Sequence, residues 1–114
     1  MQTPDQPRRA LLLAFAAAAA VTAFPAVAAA AARTHTIVMD KMKFGPSPAG
    51  LRVGDTILWV NRDAFRHTAT AGNGTFDVDL APGASGRTTL RTAGTIPYVC
   101  RFHPGMTGVL TVAA

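Results

Sequence analysis

The chain has 114 residues, a formal net charge of +5 and a single cysteine. Such a length leaves room for one small domain once an alanine-rich opening is set aside, and one thiol excludes an internal disulfide. The basic residues stand singly with no aromatic ladder between them, which argues against nucleic acid as a partner.

Met1 to Arg9 form a short polar lead ending in Arg8-Arg9. From Ala10 to about Ala23 the composition turns almost wholly apolar, then passes through Pro25 into the run Ala26 to Ala32. That is the order of n-region, h-region and small-residue cleavage site. Residues 1–32 therefore read as a signal peptide cut between 28 and 33, and residues 33–114 as the mature domain. The apolar stretch is shorter than the roughly 20 residues a spanning helix needs, so no stable membrane insertion is expected after cleavage. Arg8-Arg9 resembles a twin-arginine export signal, and a periplasmic or otherwise extracytoplasmic location is expected. From Arg33 onward nine Lys and Arg oppose five Asp, a balance of +4 that favours an acidic partner.

Beyond the leader the chain reads as strands. Thr34 to Asp40 is rich in Thr, Ile and Val, with His35 expected on its exposed face and Met39 and Met42 in core or rim packing. Thr56 to Asn61 follows the turn signal Gly54-Asp55 and places Ile57 and Trp59 on one face. His67 to Ala71 is a short run, Arg87 to Arg91 alternates after Pro82-Gly83, Thr95 to Cys100 sets Ile96, Tyr98 and Cys100 on one face, and Gly108 to Val112 closes the chain. Gly and Pro punctuate every interval, so no helical period survives. Six to eight short strands argue for an all-β sandwich with Greek-key connections. Asp77 and Asp79 form a carboxylate pair with no partner base, which argues against acid–base or calcium chemistry.

The segment Tyr98-Val99-Cys100-Arg101-Phe102-His103-Pro104-Gly105-Met106 carries the chemistry. A thiolate, an imidazole and a thioether lie within seven residues, and a tight turn through Pro104-Gly105 can aim all three at one centre. The set is soft to intermediate and lacks a carboxylate, which selects copper over magnesium, calcium or manganese. A trigonal site needs a second imidazole from a distant strand, and His67 is the natural supplier. Two His and one Cys with a weak axial Met is the donor set of blue-copper electron transfer.

On these segments, together with Gly54-Asp55-Thr56, Trp59-Val60-Asn61 and the run Asn61 to His67, the stretch from about His35 to Val112 resembles the cupredoxin family. Within it the chain is most similar to the amicyanin and plastocyanin-type group. The resemblance implies His67, Cys100 and His103 as equatorial ligands, Met106 as axial ligand, one copper per chain and no enzymatic activity. Two departures from the family stand out. Thr68 takes the place of an Asn that usually ties the two ligand loops together, so a tie that is weaker or absent is expected, and Gly105 replaces a bulkier residue before the axial Met.

Pro104 has no N–H to offer the Cys100 sulfur, which leaves the Thr68 amide as the expected donor and a midpoint potential in the lower part of the blue-copper range. His103, collared by Phe65, Phe102 and Pro104, is the expected electron exit. Arg66 and Arg101 would border it and steer an acidic protein redox partner, such as a dehydrogenase, cytochrome, oxidase or reductase, toward a monomeric carrier. Two other readings remain open at this point: a protein that holds and delivers Cu(I), and a metal-free sandwich used for recognition.

Overall fold

The computed structural model describes residues 31–114. The proposed leader lies outside that range except for Ala31 and Ala32. Among the described residues no helix is long and apolar enough to cross a membrane.

Alternation of apolar and polar side chains sets the architecture, because each strand can bury only one face. Nine strands form: β1 (Thr34–Asp40), β2 (Lys43–Phe44), β3 (Leu51–Arg52), β4 (Thr56–Asn61), β5 (His67–Ala71), β6 (Asp77–Leu80), β7 (Ser85–Thr89), β8 (Gly94–Val99) and β9 (Thr107–Ala113). The expected all-β class holds, with more strands than the six to eight anticipated. β2 and β3 are two residues long and too short to show periodicity, and β6 is the Asp-Val-Asp-Leu run, in which the two carboxylates mask a short alternation.

The strands divide into two sheets, ordered β2-β1-β4-β7 and β3-β9-β8-β5-β6. Chain neighbours β4 and β5 lie in different sheets, and the pairs β1/β4 and β3/β9 run parallel. Between the sheets Ile37, Met39, Ile57 and Trp59 meet Ala69, Ile96, Tyr98 and Leu110 in one buried cluster. Trp59 and Tyr98 pack edge to face with centroids 5.2 Å apart, and Phe44 stands 4.8 Å from Tyr98. The one polar atom of Trp59 is satisfied by donating from Nε1 to Thr88 Oγ1 at 3.0 Å, as a fully buried indole requires. Gly108 lies opposite Tyr98 in the β8/β9 register, where any Cβ would fall on the phenol ring.

His35 departs from the exposed position expected of it. Its Nε2 lies 3.1 Å from Oδ2 of the buried Asp55, whose carboxylate also accepts the Arg33 and Arg52 amides. A carboxylate taken out of water needs several donors, and the imidazole is drawn inward as one of them.

Candidate metal centre

The second sheet brings two distant chain segments together at one end. β5 begins at His67, and Cys100 follows directly on the last residue of β8. After Cys100 the backbone closes a tight turn in which the Cys100 amide donates to the Met106 carbonyl at 3.0 Å and the Met106 amide to the His103 carbonyl at 2.8 Å. His67 and Cys100 are wholly buried, Met106 is buried, and His103 is half-buried rather than openly exposed.

Nδ1 of His67 and Nδ1 of His103 lie 3.2 Å apart, and Cys100 Sγ stands 3.8 Å and 3.7 Å from them. Metal–nitrogen bonds of about 2.0–2.1 Å and a metal–sulfur bond of about 2.3 Å, spread at about 120° in a plane, separate the two nitrogens by about 3.5–3.6 Å and each nitrogen from the sulfur by about 3.7–3.8 Å. The observed triangle fits a three-coordinate metal with the imidazoles drawn slightly together. His67, Cys100 and His103 are the group among the described residues whose ligand atoms converge in this way.

Asp63 was not anticipated as part of the site. Its Oδ2 accepts from His67 Nε2 at 2.7 Å. A carboxylate can only accept, so the ring proton sits on Nε2 and the Nδ1 lone pair is left free to face the triangle. The same carboxylate accepts the Lys41 and Met42 amides at 2.9 Å each; the Met42 bond first, then that from His67 and, after the opposing effect of burial, that from Lys41 hold its pKa below the usual range. Its distance of four residues from His67 was the available signal, but nothing in the sequence says that the intervening loop folds back. Asn61 makes it do so: from full burial its Nδ2 donates its two protons to the carbonyls of Phe65 and Leu80, with the Ala81 carbonyl sharing one of them at 3.3 Å, while its Oδ1 accepts the Asp63 amide.

Burial alone would push the Cys100 thiol up. The Thr68 amide at 3.4 Å, then the His103 and His67 rings and the Phe102 amide, outweigh it and bring the pKa down to about 6. The thiol is therefore largely thiolate at neutral pH, the form that binds metals. The Thr68 amide donates as expected, and Phe102 assists it.

Thr68 corrects a second expectation. Its Oγ1 accepts the Arg101 amide at 2.8 Å, so the two loops are tied in spite of the short side chain. Arg66 and Arg101, expected to border the exit and steer a partner by charge, each pair with an aspartate: Arg66 Nε donates to Asp79 at 2.7 Å and Arg101 Nε to Asp77 at 3.3 Å. The two aspartates thus have arginine partners. The collar is present, since the Phe65 ring packs edge to face on His103 at 6.1 Å, with Phe65 57% and Phe102 48% exposed.

The profile of the Cupredoxin-like domain family matches residues 10–112 of this sequence. The chain belongs to the cupredoxin family. Amicyanin from Paracoccus denitrificans is 33% identical to this cupredoxin over 93 residues, covering 75% of this chain and 71% of that protein. Amicyanin-alpha from Methylorubrum extorquens is 32% identical over 111 residues, covering 90% and 93%. A solved Cu(I) form of an amicyanin variant superposes with a TM-score of 0.63 at 28% identity, over 69% of this chain and 81% of the other. The His/Cys/His cluster has the geometry of a type 1 copper site.

Proposed function

We propose that this cupredoxin is an exported one-electron carrier that holds a single copper ion at His67, Cys100 and His103, with Met106 as weak axial ligand. The observation that carries the reading is the buried triangle with edges of 3.2, 3.7 and 3.8 Å. Copper bound there supplies a Cu(II)/Cu(I) couple, and its choice follows from soft and intermediate donors without a carboxylate. Asp63 and the Thr68 amide hold an imidazole and the thiolate in place in both oxidation states, which keeps reorganisation small. Four protein ligands leave no position for a substrate, whereas catalytic metal sites keep one open. Kinship with amicyanin and plastocyanin supports the same non-enzymatic role.

The electron leaves through the His103 edge, inside the apolar collar of Phe65 and Phe102. The partner is a protein with an acidic docking surface. Because Arg66 and Arg101 are already paired, steering falls to cations that make no ion pair among the described residues, of which Lys41, Lys43 and Arg62 are exposed on or beside the segments held by Asp63. A small apolar contact with a charged surround suits a short-lived encounter of a monomeric carrier. Residues 1–32 act as the export leader, and the mass of the exported protein is expected to correspond to a cut between 28 and 33.

Adding Cu(II) to the purified apoprotein tests the assignment. An intense blue thiolate-to-copper band that saturates at one ion per chain and disappears in Cys100→Ala is the expected result, and a colourless mixture overturns it. A delivery role would show instead as rapid loss of Cu(I) to a chelator together with slow oxidation by redox proteins.

A further inference from the structure

The hydroxyl of Thr68 does more than accept the Arg101 amide. It lies 2.9 Å from Thr70 Oγ1, Thr70 Oγ1 donates to Asp77 Oδ1 at 2.8 Å, and the same Oδ1 accepts from Arg101 Nε at 3.3 Å. The path leaves the Arg101 backbone and returns to the Arg101 side chain, crossing β5, β6 and the end of β8. We infer that this Thr68–Thr70–Asp77–Arg101 ring is the positioning device of the thiolate loop, with Thr70 and Asp77 acting on the site without touching it.

The direction of the protons makes the argument. Asp77 can only accept, so Thr70 spends its single hydroxyl proton there. Thr70 then receives the Thr68 proton, and Thr68 is left with lone pairs facing the Arg101 amide. Every hydroxyl has one orientation, fixed by a carboxylate that is itself half-exposed at the surface. Remove that anchor and Thr70 is free to donate to Thr68 instead, turning the Thr68 proton against the Arg101 N–H. Thr68 also supplies the amide that donates to Cys100 Sγ. A slackened Thr68 therefore weakens both the backbone tie beside Cys100 and the hydrogen bond on the sulfur. Cooperative chains of this kind are worth more than their separate bonds.

The inference rests on the copper-ligand reading for its redox consequence but not for its structural one, so two measurements separate them. In the copper-free protein, amide hydrogen exchange at Arg101 and Thr68 is expected to quicken about fivefold in Thr70→Val, the factor that one typical hydrogen bond represents. In the copper-loaded protein the midpoint potential of Thr70→Val is expected to fall, because a thiolate with a weaker donor keeps more electron density and favours Cu(II). Thr70→Ser restores both values. Asp77→Asn keeps an acceptor oxygen but removes a negative charge, so its exchange stays near wild type while its midpoint rises. That opposite sign separates positioning from bare electrostatics, and the exchange rates of Asp77→Ala, compared with those of Asp77→Asn, stand in should Thr70→Val fail to fold. Exchange rates in Thr70→Val equal to wild type, or a Thr70→Ser that behaves like Thr70→Val, overturn the proposal. A wild-type protein that never turns blue defeats the ligand assignment and leaves the exchange measurement to decide the ring.

Discussion

At the scale of single residues the site is a problem in keeping lone pairs available. Cys100 is wholly buried, yet its pKa is lowered to about 6 because donors converge on the sulfur more strongly than burial opposes its charge. The ultraviolet thiolate absorbance of the apoprotein should therefore titrate with a midpoint about 6, and a midpoint near the ordinary thiol value would contradict the donor geometry. Asp63 fixes the His67 tautomer, so Asp63→Ala is expected to weaken copper binding about 10- to 100-fold, the usual cost of losing the partner of a ligating imidazole. Competition with a Cu(I) chelator and with a Cu(II) chelator measures it in both states. The sequence exposed the Cys, His and Met spacing because those residues share one turn. It hid Asp63, Thr70 and Asp77, since an acidic or hydroxyl side chain acquires its role only from what the fold sets beside it.

At the scale of elements, the long alternating strands were legible and the short ones were not. Thr34–Asp40, Thr56–Asn61 and His67–Ala71 announce themselves by composition and alternation, whereas Lys43–Phe44 and Leu51–Arg52 exist only because a neighbouring strand offers a partner. The β1/β2 hairpin is the least obvious of these. Its two central residues, Lys41 and Met42, have φ of 52° and 60°, the left-handed region that side chains other than Asn and Gly resist. Two amides on the Asp63 carboxylate hold it there. Met42→Gly removes the steric penalty and keeps the amide, and after the extra entropy of a glycine in the unfolded chain a net gain of up to about 1 kcal/mol is expected. Denaturant unfolding reads it, and a loss of stability would mean that the Met42 side chain contributes more packing than its position suggests.

At the scale of the whole molecule, acid should undo the fold from the end opposite the ligand cluster of β5 and β8. Asp55 is held below its usual pKa first by the Arg33 amide and, against burial, by the Arg52 amide and His35. A carboxylate whose folded pKa lies below its unfolded one stabilises the protein above the unfolded value, roughly 3.9, and loses that contribution as pH falls through the folded one. Thermal melts of the apoprotein should drop steeply below about pH 4, and Asp55→Asn should flatten that slope while lowering stability at neutral pH. An unchanged slope would remove Asp55 from the acid transition. The same molecule carries its own gauge for such experiments. Trp59 is the single tryptophan of the sequence, wholly buried between the sheets with its N–H already engaged by Thr88. Its emission should lie at short wavelength while the sandwich stays closed and move to longer wavelength once water reaches the indole, so one intrinsic fluorophore follows separation of the two sheets without any label.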